Sequence, residues 1–398
     1  MMKKGESLVL LTFLVMVYSC QTMASGIYLY ELGTADQGLA GAGSAARAGD
    51  ASTIYTNPAG MSYLEGGQVV GALQALYGNF QYDVDKGNSP GNVVGWQPGG
   101  SLFYSQSISE QLNLGVGLYS NAGLSLDFGN DWRAGSLLDK ASLMFITLQP
   151  TASWKLNDEW SIGGGITVTQ GRVKVSSGDT VMGKQLLNES DIDYAYGARL
   201  GVMYTLSNAT RLGLTWGSQQ SYNFDIDRQV SDPLNGNTLS IQQAHMRLPQ
   251  QVYGSVWHEL SDKLALTGSL GWQQWSRFAD NYVSSSVGTV NSTLSLQDTW
   301  SGALGVQYKL TNALRINTGI AYDSSWNKND DNGSVTWPSS STWRFGTGAQ
   351  YALSNYSEIG MSVEYAQGST LKDSSPVVEG EYSSPSMIFL AGQYIYRF

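Results

Sequence analysis

Residues 192–209 read IDYAYGARLGVMYTLSNA. Ile192, Tyr194, Tyr196, Ala198, Leu200, Val202, Tyr204 and Leu206 fall on one side of a two-residue repeat, with a short polar turn at Leu206-Ser207-Asn208-Ala209. A repeat of two is the signature of a β-strand with two unlike faces. The same alternation recurs. Leu112, Leu114, Val116 and Leu118 share a face, as do Trp300, Leu304, Val306, Tyr308 and Leu310. The opposite faces carry mostly Gly, Ser, Thr, Asn and Gln. A soluble barrel fills its interior with apolar side chains, whereas a membrane barrel puts them outside against lipid. Small polar second faces, together with tyrosines near the strand ends, favour the membrane arrangement.

The connections alternate in length. Leu156-Asn157-Asp158-Glu159, Leu260-Ser261-Asp262-Lys263, Leu310-Thr311-Asn312-Ala313 and Leu353-Ser354-Asn355-Tyr356 are turn-like, while 231–242, 281–297 and 327–341 are long and polar. Outer-membrane barrels have short periplasmic turns and longer extracellular loops. Strands counted from Gly67 onward number about fourteen, an even number as expected for such barrels. The seventh, eighth and ninth are expected over about 209–226, 243–260 and 263–282. The last strand places Ile388, Leu390, Tyr394, Tyr396 and Phe398 on one face and ends the chain on an aromatic residue. The expected fold is therefore an all-β, fourteen-stranded antiparallel transmembrane β-barrel.

Composition agrees. The 398 residues include 47 Gly, 23 Tyr and 12 Trp, and only 14% are charged, against about 25% in ordinary soluble domains. Mean hydropathy is −0.18, and no run after the N-terminus reaches the roughly 18 apolar residues of a membrane-spanning helix. Lys3 and Lys4, the apolar run Leu8–Val17 and Thr22-Met23-Ala24 form an export signal cut after Ala24. Val17-Tyr18-Ser19-Cys20 only loosely fits a lipoprotein box. Cleavage removes Cys20, the one cysteine, and takes the net charge from −10 to about −11. So acidic a chain, with no basic tract, is a poor nucleic-acid binder.

Before the first strand lies DASTIYTNPAGMSYL (50–64), preceded by DQGLAGAGSAARAG (36–49). Gly and Ala permit close packing and tight turns. Asn57-Pro58 signals a turn or helix start. A fourteen-strand cylinder is wide enough for a channel unless something fills it. The expected organisation is thus a signal peptide at 1–24, an N-terminal hatch of short helices and turns at 25–65 inside the barrel, and the barrel itself at 66–398.

These blocks resemble the outer-membrane long-chain fatty-acid transporter family, which includes uptake channels for toluene and related aromatics. The resemblance is carried by GLAGAGSAARAGDASTIYTNPAGM (38–61), GNDWRAG (129–135), QPTASWKLND (149–158), TRLGLTWGSQQSYNF (210–224), WQQWSRF (272–278), QDTWSGALGVQYKL (297–310) and STWRFGTGAQYALSN (341–355), in order. It implies a plugged barrel in the outer membrane of a Gram-negative bacterium. Hydrophobic molecules would enter passively from outside and leave sideways through an opening at a kinked third strand. The family's kink carries Pro-Phe-Gly, where this chain has Asn121-Ala122-Gly123. Gly123 still permits a bend.

Candidate residues follow. Asn57, Pro58, Ala59, Arg47 and Asp50 belong to the hatch, and Asn121, Ala122 and Gly123 to the lateral opening. Trp275, Arg277 and Arg344 are expected to face the lumen, where Arg suits a substrate carboxylate. Each arginine also has a plainer role, pairing with carboxylates such as Asp50. His245 and His258 are the only histidines, too few for a His/Cys metal site; His258 adjoins an expected periplasmic turn, where it reads as an interfacial side chain, and His245 has no acidic residue near it in sequence to complete a catalytic set. Gly41-x-Gly43-x-x-Ala46 follows no strand and is a false dinucleotide match. The loop 327–334 misses calcium-loop spacing. The expectation is no enzyme, no metal and no cofactor. Fatty-acid uptake is the leading function, uptake of aromatic or aliphatic hydrocarbons the alternative, and a general porin or structural surface barrel follow. Partners are hydrophobic small molecules, outer-membrane lipid and lipopolysaccharide, and the barrel assembly machinery during biogenesis, with the protein a monomer that binds no nucleic acid.

Overall fold

The computed structural model describes residues 32–135, 138–177, 187–231, 238–285, 288–291, 294–329, 333–374 and 378–398. The expected export signal and residues 25–31 of the expected hatch lie outside them. Fourteen antiparallel strands form one closed barrel. Numbered along the barrel, they are β1 (Gly67–Asn79), β2 (Gly95–Ser107), β3 (Leu112–Asp127), β4 (Lys140–Lys155), β5 (Trp160–Ser177), β6 (Leu187–Ser207), β7 (Thr210–Gly217), β8 (Gln251–Ser261), β9 (Leu264–Gln273), β10 (Thr299–Lys309), β11 (Leu314–Asp323), β12 (Thr342–Ala352), β13 (Ser357–Gly368) and β14 (Ser386–Arg397). Each pairs with its sequence neighbours, and β14 closes on β1 from Gln68↔Arg397 to Asn79↔Ser386.

The pleat sorts side chains as their polarity predicts. Leu73, Leu270, Leu304 and Met361 are each about 70% exposed or more, which a water-soluble surface does not sustain as a continuous band. Near the short-turn end Trp154, Trp160, Tyr356, Tyr394 and Tyr396 are exposed; near the other end stand Trp96, Tyr194, Trp300, Trp343 and Tyr365. These are two aromatic girdles bounding an apolar band. Inward positions carry buried Gln149, Thr169, Ser255, Thr267, Asn317 and Gln393.

Residues 32–64 lie within the cylinder. They form α1 (Thr34–Gly38), α2 (Ser44–Arg47), α3 (Thr53–Thr56) and a 3-10 turn over Pro58–Tyr63. The wall makes room by lacking side chains. A Cβ at Gly213 would meet the Ala45 carbonyl at 1.8 Å, and one at Gly319 the Leu39 carbonyl at 2.0 Å.

Three expected strands are shorter than their alternation suggests. The seventh ends at Gly217 and the eighth starts at Gln251. The intervening Gln220–Ser231 and Thr238–Leu248 join Tyr282–Ser285 and Gly288–Asn291 in a separate four-stranded sheet. Alternation persists there because that sheet is also covered on one face only. A second small sheet joins Gln81–Val84, Gly91–Asn92, Leu371–Ser374 and Glu379–Tyr382. Both belong to the long connections, and with them an apolar core containing Tyr82, Trp132, Phe145, Tyr222, Trp275 and Trp326 fills that end.

Candidate functional site

The wall is not paired all round. β1 and β2 are in register from Gly67↔Gln106 to Gly78↔Gly95. β2 and β3 pair only from Ser107↔Asn113 to Ser101↔Tyr119. Beyond that level, residues 95–100 of β2 and 120–127 of β3 have no ladder between them. β3 turns away because it carries one extra residue. Tyr119 faces Thr147 of β4, and the next pair is Ala122↔Phe145. Such a bulge bends the strand and reverses its pleat. Leu114, Val116 and Leu118 point outward before it, whereas Ala122, Leu124 and Leu126 are buried after it. On the facing edge Pro98 has no N–H to donate, which suits a strand locally at an edge.

A cavity of about 420 Å³ occupies the gap. Gln74, Leu76, Met387 and Phe389 line it from inward positions of β1 and β14, and Met144, Arg172 and Lys174 line it from outward positions of β4 and β5. One continuous space touched by both faces crosses the wall. Ala122 and Gly123 line it; Asn121 stands in the bulge. Two larger recesses, of about 700 and 640 Å³, are grooves among lipid-facing side chains such as Leu266, Leu304, Ile320 and Phe345.

The hatch forms the floor at this level. Ser101 Oγ, on the last paired residue of β2, donates to the Leu32 carbonyl at 2.8 Å. Gln37 Nε2 donates to the carbonyl of Phe389 at 2.9 Å. Tyr119 stacks on Phe103 at 5.8 Å and meets the hatch residue Tyr55 edge-on at 5.0 Å. Tyr119 OH donates to Gln149, whose Nε2 donates to the Ile54 carbonyl at 2.7 Å.

Asn57 organises the hatch turn. Its Oδ1 accepts from Ala59 N at 3.1 Å, capping the 3-10 turn that Pro58 begins. Its Nδ2 donates to the Ala45 carbonyl at 2.7 Å and to the wall carbonyl of Val202 at 3.1 Å. Arg47 closes the hatch on itself: Nε and Nη2 each donate to Asp36 at 3.1 Å, and Nη1 lies 3.6 Å from Asp50.

The expected lumen residues are distributed differently. β9 ends at Gln273, and Trp275 and Arg277 lie on a 3-10 turn over Trp275–Asp280 at the long-loop end. Trp275 Nε1 donates to Gln273 Oε1 at 2.6 Å, and its ring packs on Trp326 at 4.8 Å. Arg277 is exposed and pairs with Asp280 at 3.1 Å. The strand stops because Trp275 reaches back into the aromatic core. Arg344 does point inward from β12, and it is already neutralised by Asp323 at 2.7 Å and Glu364 at 3.3 Å.

A different buried arginine lies against Tyr119 and Tyr55 with no acidic partner among the described residues. Arg199, inward on β6 and 5% exposed, lies with its guanidinium 4.3 Å over the Tyr55 ring. Among the described residues no ion pair with a carboxylate includes it, and its Nε has no hydrogen-bond partner. Alternation from Ile192 to Leu206 marks it as inward. What sequence could not supply is the absence of a partner. Gln97-Pro98-Gly99-Gly100 was a usable signal for the gap, since Pro within a strand demotes it to an edge.

Residues 15–398 match the sequence profile of a family described as outer membrane protein transport protein (OMPP1/FadL/TodX). Outer membrane protein P1 of Haemophilus influenzae is 26% identical over 360 residues, covering 76% of this chain and 77% of that protein. The long-chain fatty acid transport protein of Escherichia coli O6:H1 is 24% identical over 363 residues, covering 78% and 80%. Among solved structures, a Pseudomonas aeruginosa FadL homologue superposes with a TM-score of 0.81 at 17% identity, covering 94% of this chain and all of that one. The toluene transporter TodX of Pseudomonas putida gives 0.70 at 15% identity, covering 93% and 99%.

Proposed function

The chain belongs to the outer membrane protein transport family (OMPP1/FadL/TodX), and from that premise we propose that it admits long-chain fatty acids passively and releases them sideways into the membrane. The cavity that crosses the wall between β2 and β3 carries this reading. A ligand entering from the long-loop end meets the hatch below and the breach beside it. An apolar chain leaving by the breach passes into lipid and never crosses the periplasmic half of an aqueous lumen, which would cost its full hydration penalty. The short turns then face the periplasm and the long loops the exterior. Residues 1–24 serve as export signal, 25–65 as hatch and 66–398 as barrel. The work is transport, with no catalytic step. The barrel acts as a monomer, is inserted by the barrel assembly machinery, and sits among outer-membrane lipid and lipopolysaccharide.

Arg199 favours an acidic substrate over the hydrocarbon alternative. A buried guanidinium without a carboxylate is costly alone and is relieved by a carboxylate ligand. Asn57, Pro58, Ala59, Arg47 and Asp50 hold the floor, while Arg344, Trp275 and Arg277 shape the wall and roof without meeting the head group. The test is uptake of labelled oleate and toluene by cells lacking their own transporter and carrying the native chain or Arg199→Met. Oleate uptake that falls several-fold in the variant supports the reading. Toluene uptake alone, indifferent to Arg199, moves the assignment to hydrocarbons. Entry of neither, with a folded barrel in the membrane, removes both.

A further inference from the structure

The outer mouth of the breach is not apolar. β5 sorts its residues by face: Gly171, Val173 and Val175 point inward, and Gln170, Arg172 and Lys174 outward. Arg172 stands opposite Met144 and Lys174 opposite Ser142 on β4, and all four line the cavity. On the other side of β5 they face Ile192 and Ser190. Among the described residues, neither cation is within ion-pair distance of a carboxylate. Lys140, the next outward cation, is already held by Asp127 at 2.7 Å. Two acids of β6 are engaged elsewhere, Asp193 accepting from Asn223 N at 2.7 Å and Asp191 from Asp225 N at 2.8 Å.

Their height in the wall is fixed by their neighbours. Outward Ile162 and Ile166 lie in the apolar band, and Gln170 donates to the hydroxyl of the girdle residue Tyr194 at 2.6 Å. Arg172 and Lys174 follow at successive outward positions, each about 7 Å further along the strand. They stand at the head-group level of the outer leaflet, at one end of a space whose other end is lined by Leu76, Leu124, Leu143 and Phe389. A space with an apolar inner end and two unpaired cations at its outer lip has the polarity of an amphiphilic anion.

We propose that Arg172 and Lys174 form an exit-side receptor for the carboxylate of the departing fatty acid. The inference rests on the fatty-acid reading above. The alkyl tail lies against the inner apolar lining while the carboxylate is held between the guanidinium and the ammonium, so the acid is delivered with its head already at head-group depth. Both contacts are charge-assisted, and long flexible stems let both cations follow the head as it moves. An uncharged chain passes the same breach without using either.

The experiment compares uptake of labelled oleate and labelled hexadecane in cells lacking their own transporter. The chains are native, Arg172→Gln/Lys174→Gln, the charge-preserving Arg172→Lys/Lys174→Arg, and Lys155→Gln, a cation at the distant turn end, as control. Surface level and heat-modifiable migration of each barrel are measured alongside, and the two single glutamine variants stand in if the double variant misfolds. The expected result is a fivefold or greater fall in oleate uptake for the double glutamine variant, with hexadecane unchanged and the charge-preserving variant near native. Equal oleate uptake by native and glutamine chains overturns the receptor, as does an equal fall for hexadecane. Unchanged oleate uptake with less lipid phosphate bound to the purified barrel overturns it in favour of a lipid anchor. A native chain that takes up hexadecane and no oleate defeats the fatty-acid reading itself, whatever the variants do.

Discussion

Arg47 and Arg344 show how little a residue's facing says about its work. Period-two reading turns Arg344 inward, and it is inward, but Asp323 and Glu364 sit 21 and 20 residues away on the two flanking strands and become its partners only through register. Register across a barrel is a long-range property, so the pairing was not legible in sequence. Arg47 is simpler, since Asp36 and Asp50 are within one compact segment. In both sites two carboxylates surround one buried cation. Removing the cation leaves buried negative charge uncompensated, which costs about 3–5 kcal/mol. Arg344→Met should therefore lower the midpoint of thermal unfolding followed by heat-modifiable migration, whereas Arg344→Met/Asp323→Asn/Glu364→Gln should recover most of the loss. A single variant as stable as native would show that the site is solvated. Asn57→Ala removes a cap and a tie to the wall carbonyl of Val202, worth about 1–3 kcal/mol where the partners stay buried. The expected sign is faster labelling of a cysteine placed at Ser62, with the barrel strands unaffected.

Among the elements, the strands whose two faces meet lipid and lumen were readable, and those at the rim were not. Gln220–Ser231 and Thr238–Leu248 alternate as cleanly as barrel strands because any sheet covered on one face does so. The bulge in β3 was marked by Gly123, yet its depth depends on Ser120 and Asn121 together opposing the single Ile146 of β4, which no local pattern discloses. Deleting Asn121 should restore continuous pairing with β4, keep Ala122, Leu124 and Leu126 on the inner face in an unbroken pleat, and extend the ladder with β2. A tenfold or greater loss of oleate uptake, at unchanged barrel level and migration, is the expected outcome; native uptake by a folded deletion variant would separate transport from the breach. The loop sheet carries its own sensitivity. His245 Nδ1–H donates to Asn223 at 2.7 Å, Nε2 accepts from Arg247 Nε at 3.0 Å, and the ring stacks on Tyr282 at 4.7 Å. Burial and then Arg247 hold its pKa below the ordinary 6.5. Because the fold prefers the neutral ring, its contribution is present above about pH 6.5 and is lost as pH falls through the lower folded value. Limited proteolysis of the long loops should accelerate between pH 7 and 5, and His245→Gln should flatten that dependence.

At the scale of the molecule, two structures share one space and differ in what they depend on. Outside the β2–β3 gap the barrel satisfies its own backbone, since each strand pairs with both neighbours and β14 closes on β1, so in lipid it needs no plug to hold those hydrogen bonds. The hatch needs the barrel. Its four short segments, of four to six residues each, are far below the length of a self-sustaining helix; they are held by wall side chains such as Ser269, Ser161 and Gln149 and by glycines that leave them room. Deleting residues 32–64 should therefore leave a folded, heat-modifiable barrel that loses its floor. The lumen becomes continuous from the loop core to the short turns, so single-channel conductance in a planar bilayer and permeation of small hydrophilic solutes should both rise at least several-fold. Oleate delivery should lose its dependence on the β2–β3 breach, because a second route downward is open, and the Asn121 deletion should no longer be limiting in that background. A porin would keep its solute permeability with or without the segment. A deletion variant as impermeable as the native chain would mean that the loop core at the other end is the real barrier, and that the hatch is only a brace.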